Sequence, residues 1–358
     1  AAHACAVAGR RNKMNLDQLR QTIPAFDEGA AARAEARWNN IAKPVGSLGL
    51  LERAVVTLAG AQGTDQPNSD KRAVLVLCAD NGVTAQGVAS TPPEITAVMA
   101  EFIANKRSSV CIMAKQAHAE SIAVDMGMFR HVNAEQLLDR RVASGTADMT
   151  LGPAMTREQA ICAIETGIEL VKFCKAEGYR ILATGEMGIG NTTTSSAVSA
   201  VLLGKSAIEM TGVGAGLDEA GLRRKIAAIE TAIAVNKPDP ADALDVLAKL
   251  GGFDLAGMVG IYLGGALYRV PVVVDGFISA TAALAASRIW PEARKTMLFS
   301  HVSAEPASRA VLAALDAKPL IQAEMRLGEG TGAVALLPLL DMALAIYYDL
   351  MTFADIGM

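Results

Sequence analysis

Residues 180–194 read RILATGEMGIGNTTT, and this stretch contains the pattern on which the fold prediction rests. The run Arg180–Thr184 is short and apolar, as in a buried strand, and the glycines that follow it permit a tight turn. The hydroxyl residues after Gly190 suit the first turn of a helix. A strand that leads through a glycine turn into a helix is the unit from which parallel sheets are built.

The same rhythm recurs on both sides of that stretch. Four further short apolar runs, each followed by a longer helix-like segment, lie at Ala73–Cys78, Ile122–Asp125, Val270–Val274 and Met297–Phe299. Strands that alternate with helices pair in parallel and are covered on both faces. The chain is therefore predicted to have an α/β fold with a doubly wound, mostly parallel sheet.

Helix starts and the chain ends complete the predicted architecture. Residues 91–94 (TPPE) and 156–159 (TREQ) both have capping-box spacing, the first with a proline at the first helical position. Helical patterns over Leu16–Gln62 and Gly332–Met351 predict a small helical domain built from residues 14–62 and 332–358, beside a large α/β domain over 63–331. Residues 1–13 are interpreted as a leader or an expression remnant.

The composition of the 358 residues argues against several classes of partner. A formal charge of -4 and an aromatic content of 4% offer neither a basic surface nor base-stacking platforms, so nucleic acid is not an expected partner. Charges interrupt the apolar runs, and no membrane span is predicted. The five cysteines form no C-x-x-C pair and lie mostly in apolar segments, which predicts reduced thiols, no metal site and a cytoplasmic protein.

The turns after the predicted strands carry the candidate chemistry, because ligands of parallel sheets bind beyond the carboxyl ends of the strands. These turns are rich in glycine and polar groups: Asp80-Asn81-Gly82, 185–194, Asp275-Gly276 and 300–305. The stretch 185–194 either cradles a phosphate or is a plain capped turn, and it matches neither G-x-x-x-x-G-K-[ST] nor G-x-G-x-x-G. The turn Gly212–Gly216 leaves the same two alternatives open.

Three charged or titratable side chains can be interpreted from the sequence alone. Glu329 stands between glycines near Arg326, where it is either a general base or a solvated loop acid. Lys225, taken alone, is predicted to be a solvated helix lysine. His301 is predicted to be an oriented strand-end histidine that bonds its own loop.

Together these segments resemble the nicotinate-nucleotide–dimethylbenzimidazole phosphoribosyltransferase family, whose members make the lower-ligand nucleotide of cobamides. The likeness runs from about Leu16 to the C-terminus and rests on six motifs in order: Lys43-Pro44 with 46–49 (GSLG), 185–188 (GEMG) with 191–193 (NTT), 251–254 (GGFD), 275–277 (DGF), 300–301 (SH) with 303–305 (SAE), and 326–330 (RLGEG). The resemblance implies a large doubly wound domain, a small helical domain, no metal and no bound cofactor. It also implies a dimer whose active site lies under helices of the partner.

The resemblance further implies a reaction and its residues. The ribose phosphate of nicotinate mononucleotide moves to an aromatic acceptor, nicotinate leaves, and the anomeric carbon inverts to give the α-nucleotide. Glu329 is implied as the general base and Glu186 as a carboxylate that supports the cationic sugar. The residues implied to hold the nucleotide are Gly188, Asn191, Thr192, Gly214, Lys225, Ser303 and Arg326.

The acceptor end departs from the family pattern. Members commonly have Asp-His-Gly where this chain has Asp80-Asn81-Gly82, and serine and glutamine where it has Thr91 and Met99. A thioether in place of an amide makes the pocket more apolar. With Leu327, Asn81, Thr91 and Met99 are expected to hold dimethylbenzimidazole or a phenol such as p-cresol. The members that join phenols work as two paralogous chains, so either a homodimer or a heterodimer is expected.

Two other classes of function stay open. A non-catalytic partner subunit of a heterodimeric transferase has no mechanistic reason to keep both Glu186 and Glu329. A nucleotide-dependent oxidoreductase of Rossmann type would share the alternating architecture, but Asp80-Asn81-Gly82 stands where its fingerprint should follow the first strand.

Overall fold

The sheet is the centre of the protein. The structure, a computed structural model, describes residues 26–358, so the predictions for residues 1–13 and for the first part of the N-terminal helices lie outside the described residues. Within residues 26–358 six parallel strands lie in the order β3-β2-β1-β4-β5-β6: β1 (Arg72–Ala79), β2 (Glu120–Gly127), β3 (Leu137–Asp139), β4 (Ile181–Met187), β5 (Val272–Val274) and β6 (Met297–Phe299). The predicted doubly wound α/β fold is confirmed, and its strand order changes direction between β1 and β4.

Thirteen α-helices connect and cover these strands within residues 26–358. In chain order they are α1 (Glu28–Asn40), α2 (Leu50–Gln62), α3 (Ile95–Ala104), α4 (Ser109–Gln116), α5 (Arg157–Ala176), α6 (Asn191–Leu203), α7 (Ala207–Met210), α8 (Glu219–Asn236), α9 (Ala243–Leu250), α10 (Phe253–Tyr268), α11 (Phe277–Ile289), α12 (Ser308–Ala314) and α13 (Thr331–Asp349).

The strands are buried on both faces because successive side chains point to opposite sides of the sheet. Leu75 and Leu77 of β1 belong to a core that includes residues of α5, α10 and α11. Val74 and Val76 of the same strand belong to a second core with residues of α2, α3, α4 and α13. All eight residues of β1 are buried, which explains why this strand was readable as an uninterrupted apolar run.

Helices α5 and α10 touch backbone to backbone. A Cβ on Gly260 would lie 2.0 Å from the carbonyl oxygen of Ile164, and one on Gly167 would lie 2.1 Å from that of Gly257. Both positions therefore require glycine, and they hold the helix that begins at Phe253 at a fixed distance from its neighbour.

Helices from both ends of the chain pack together. Arg37 of α1 donates from Nε to the carbonyl oxygen of Tyr347 in α13 at 2.8 Å, and the rings of Trp38 and Tyr347 lie 5.3 Å apart. Helix α13 also contributes Ala333 and Val334 to the core under the sheet. The division into a large domain and a small domain stays a prediction.

The two predicted helix starts have different outcomes. At Thr156 the capping box is present, with Oγ1 accepting from the Gln159 amide at 3.2 Å and Gln159 Oε1 accepting from the Thr156 amide at 2.9 Å. The start predicted at Thr91 is wrong, because α3 begins at Ile95 without a side-chain cap. Pro93 restricts the residue before it to extended backbone, so Pro92 cannot be the first residue of the helix as predicted.

Two other features of the fold were not predicted from the sequence. Strand β3 was not predicted, since it is a three-residue edge strand that is partly exposed and too short to show a pattern. Helix α13 is long and apolar enough to cross a membrane by length and composition, although no such segment was predicted. In this structure 56% of its apolar window is buried against the rest of the protein, as in a core helix.

Candidate active site

One cavity opens at the carboxyl ends of β4, β5 and β6, next to the point where the strand order changes direction. Loops after those strands form it, together with segments that precede α3, α8 and α13. Its lining comes from residues 88–91, 186–192, 213–215, 217, 275–279, 301, 303, 305 and 326–329. Crevices at this position in doubly wound sheets are the usual ligand sites.

The glycine turn between β4 and α6 forms one wall of the cavity. Gly188 packs so closely that a Cβ there would lie 2.4 Å from the carbonyl oxygen of Ala79, and Gly190 has a φ of +91°. Helix α6 starts directly after this turn, and the side chain of Thr192 in its first turn lines the cavity. Backbone amides at such a helix start are suited to an anion.

Lys225 stands behind this wall. Its side chain is fully buried, and Nζ donates to Thr192 Oγ1 at 2.9 Å and to the carbonyl oxygen of Gly212 at 3.0 Å. Burial lowers the pKa of the lysine to about 8, while the charge of Glu305 acts in the opposite direction. The interpretation of Lys225 as a solvated helix lysine is therefore wrong, and the lysine ties the two glycine turns together.

Two buried carboxyl groups meet at one amide on the same side of the cavity. Asn191 donates from Nδ2 to Glu186 Oε2 and also to Asp254 Oδ2, the latter at 3.1 Å. Burial, followed by the charge of Asp254, raises the pKa of Glu186 well above its usual range. Burial likewise raises the pKa of Asp254 to about 6.

Glu329 is held against Glu186 by an unusual backbone. Its φ is +61°, and its amide donates to the carbonyl oxygen of Glu186 at 3.2 Å. Its Oε2 accepts from the amide of Val110 at 3.2 Å, at the start of α4. Only 6% of Glu329 is exposed, so the interpretation as a solvated loop acid is wrong. The carboxylate is fixed beside the cavity by two separate elements.

Asp275 and His301 form a further buried pair at the ends of β5 and β6. Asp275 Oδ1 accepts from the amide of Ala333 at 2.9 Å and lies 4.0 Å from His301 Nδ1. His301 Nδ1 also lies 3.0 Å from Ser300 Oγ, so this histidine does bond its own loop as predicted. Burial raises the pKa of Asp275, and the charge of His301 opposes that shift.

Most of the residues singled out from the sequence converge on this cavity. Those that line it are Thr91, Glu186, Gly188, Asn191, Thr192, Gly214, Ser303, Arg326, Leu327 and Glu329. Thr91 and Leu327 are exposed there. The cavity thus has a wall of glycines and hydroxyls and, beside it, a group of carboxylates.

Three predicted residues do not line the cavity. Lys225 lies behind its wall, and Met99 is half-buried on α3. Asn81 is fully buried and donates from Nδ2 to the carbonyl oxygen of Ile189 at 3.4 Å. Asp254 is the residue whose connection to the site the sequence did not reveal, although it belongs to the motif 251–254.

Known proteins of one family resemble this chain along nearly its whole length. A family model described as phosphoribosyltransferase matches residues 23–358. A relative from Ruminiclostridium cellulolyticum named nicotinate-nucleotide–dimethylbenzimidazole phosphoribosyltransferase is 45% identical over 342 residues, which cover 96% of this chain and 97% of the relative. A relative of the same name from Roseiflexus sp. is 45% identical over 343 residues, which cover 96% of this chain and 97% of the relative. The crystal structure of CobT from Thermus thermophilus matches with a TM-score of 0.87 and 38% identity, covering 92% of this chain and 98% of that one.

Proposed function

Because the chain belongs to the nicotinate-nucleotide–dimethylbenzimidazole phosphoribosyltransferase family, we propose that it transfers the ribose phosphate of nicotinate mononucleotide to an aromatic base. The product is the α-ribotide of a cobamide lower ligand. The observation that carries the proposal is the buried contact between Glu186 and Glu329 beside the glycine turn that starts α6. Neither carboxylate would be needed at a site that only bound the nucleotide.

The glycine wall receives the nucleotide. The phosphate binds where Gly188, Gly214 and Thr192 present backbone amides and a hydroxyl, with Ser303 and Arg326 on the facing loops. Lys225 supports this wall from behind through Thr192 and supplies positive charge close to the phosphate. Asn191 holds Glu186 in place for the ribose.

The carboxylates carry the chemistry. As the bond from the ribose to nicotinate breaks, positive charge develops on the sugar, and Glu186 stabilises it. Glu329, oriented by the Val110 amide, takes the proton of the acceptor as that acceptor attacks the anomeric carbon from the opposite face. Attack from the opposite face converts the β-nucleotide into the α-nucleotide.

The acceptor binds near Thr91 and Leu327, which line the cavity and are exposed. Asn81 and Met99 do not line it, so within the described residues the predicted acceptor set reduces to one hydroxyl and one apolar side chain. This supports a phenol such as p-cresol as an acceptor in addition to dimethylbenzimidazole. A partner chain, identical or paralogous, would cover these exposed side chains, and we place the dimer in the cytoplasm.

The test is to incubate the purified chain with nicotinate mononucleotide and, in parallel, with dimethylbenzimidazole, phenol or p-cresol, and to follow products by mass spectrometry. A coupled α-nucleotide is expected, and its mass identifies the acceptor. No product from any acceptor would overturn the proposal and favour the non-catalytic partner subunit. Tight binding of NAD instead would favour the oxidoreductase.

A further inference from the structure

Asp254 is part of the site but has no role in the reaction proposed above. It lies in the first turn of α10 and is fully buried. Its Oδ1 accepts from the amide of Leu255 at 2.9 Å, and its Oδ2 accepts from Asn191 at 3.1 Å. The same Asn191 amide nitrogen donates to Glu186. Asp254 and Glu186 therefore accept hydrogen bonds from one and the same amide nitrogen, Asn191 Nδ2.

In the part of the chain that the structure describes, no positive side chain forms an ion pair with either carboxyl. Among residues 26–358, neither Glu186 nor Asp254 forms an ion pair, and each receives only amide hydrogen bonds. Two uncompensated charges in a buried, low-dielectric site repel each other strongly, so one proton shared by the pair is the favoured state. The raised pKa values of both carboxyls, caused first by burial, agree with this arrangement.

The other groups that face the pair do not supply a counter-charge. Asp275 and Glu329 add negative charge near Glu186, and Asp80 adds it near Asp254. The thiol of Cys78 on β1 lies within range of both, and burial keeps its pKa well above the ordinary value. Asn81 Oδ1 is buried and has no hydrogen-bond partner. It lies beside Asp254 Oδ1, because a Cβ built on Gly252 would lie 2.5 Å from Asn81 Oδ1 and 2.4 Å from Asp254 Oδ1. The ring of His301 faces Asp275, with Nδ1 4.0 Å from Asp275 Oδ1.

We propose that Asp254 is a positioning residue that keeps one proton on the Glu186–Asp254 pair, whose two carboxyls meet at the side-chain amide of Asn191, and that this proton passes to solvent when the cationic ring of the nucleotide enters the cavity. The inference rests on the proposed function, because nicotinate joined to ribose through its ring nitrogen is a pyridinium cation. Such a cation supplies the counter-charge that the side chains around the pair do not. Glu186 is then fully ionised before the sugar develops positive charge.

The first experiment needs no variant. Nicotinate mononucleotide is titrated into the wild-type chain without acceptor, in buffers of different ionisation enthalpy, and the heat gives the number of protons released. Ribose 5-phosphate is the matched ligand, because it has the same phosphate and no pyridinium, so proton exchange at the phosphate and at Lys225 cancels in the difference. More protons are expected to leave with nicotinate mononucleotide than with ribose 5-phosphate.

The second experiment uses Asp254→Asn, with Asp125→Asn as the control. Asp125 is a buried carboxylate near the end of strand β2. It pairs with Arg141 at 3.0 Å and does not line the cavity. Asp254→Asn is expected to remove the extra proton release and to move the acid limb of kcat/KM to lower pH by about one unit, since a neighbouring negative charge is gone. Asp125→Asn should leave both unchanged.

The outcomes separate the two proposals. No heat with nicotinate mononucleotide would overturn the proposed function and, with it, the shared proton. Binding without extra proton release, or an acid limb that stays in place in Asp254→Asn, would overturn the shared proton alone. A purely structural role of Asp254 would lower the melting temperature and kcat without moving the acid limb.

Discussion

On the proposed nucleotide side of the cavity, which comprises Gly188, Thr192, Gly214 and Ser303, the lining comes from glycine turns and a helix start next to the sheet. On the proposed acceptor side, which comprises Thr91 and Leu327, the lining comes from exposed side chains on segments without regular structure. The nucleotide side cannot change without moving the fold, whereas the acceptor side changes with single side chains. On the proposed assignment of the two sides, reaction type and acceptor choice would therefore be set by different parts of the molecule.

The largest expected effect concerns the residue at which the two sides meet. Glu329→Gln keeps the shape of the side chain and removes the base, so kcat should fall by about 10²- to 10⁴-fold with every acceptor. The melting temperature should be unchanged within a degree or two, which circular dichroism would check. A wild-type rate in a folded Glu329→Gln enzyme would remove Glu329 from the base role.

A smaller effect is expected on the nucleotide side alone. Lys225→Met should raise the KM for nicotinate mononucleotide by about 10- to 100-fold, the range of a lost hydrogen bond to a charged group. The KM for the acceptor should not move.

The same lysine gives the nucleotide side a pH dependence. With a pKa of about 8 in the folded protein, Lys225 is charged below that pH and neutral above it. Affinity for the phosphate should therefore be full below pH 8 and fall as the pH rises through 8, as KM values measured across that range would show. A KM profile that is identical in Lys225→Met would contradict this assignment.

A still smaller effect should be confined to the acceptor side. Leu327→Ala removes apolar contact worth about 1 kcal/mol, so the KM for the acceptor should rise about fivefold while the KM for the nucleotide stays constant. Leu151→Ala is the matched control, because Leu151 is 82% exposed and does not line the cavity. Equal changes in both KM values for Leu327→Ala would mean that the two sides are not separable.

The smallest effect is expected from a substitution that lies outside the cavity. Thr156→Ala removes the capping box of α5 and should lower the free energy of unfolding by about 1 kcal/mol, measured by urea denaturation. Steady-state parameters should match those of the wild-type enzyme. A change in either KM would show that the helix start at residue 156 affects substrate binding in the cavity.

Local signals explain what could be read from the sequence. Five of the six strands and the capping box at Thr156 follow from apolar runs and short-range spacing. The glycine turn at 185–190 was recognisable as a candidate anion site because its chemistry lies within one stretch. The proline pair at Pro92-Pro93 gave a wrong helix start, since the same residues fit both a helix start and a turn before one.

Contacts between distant segments explain the rest. Asn191 and Asp254 are 63 residues apart, and nothing in either local pattern indicates that they share a hydrogen bond. The burial of Lys225 depends on the loop at Gly212, and that of Glu329 on the start of α4. Positions on the acceptor side were aligned by the resemblance alone, and the structure leaves Met99 outside the cavity.

The glycine contact between α5 and α10 limits how this enzyme could be re-engineered. A methyl group at Gly260 would push α10 away from Ile164, and Asp254 in the first turn of that helix would move with it. In a library selected for a new acceptor, surviving clones should diversify at Thr91 and Leu327 and keep Gly167 and Gly260. The reaction would thus depend on Gly167 and Gly260, two residues that do not line the cavity.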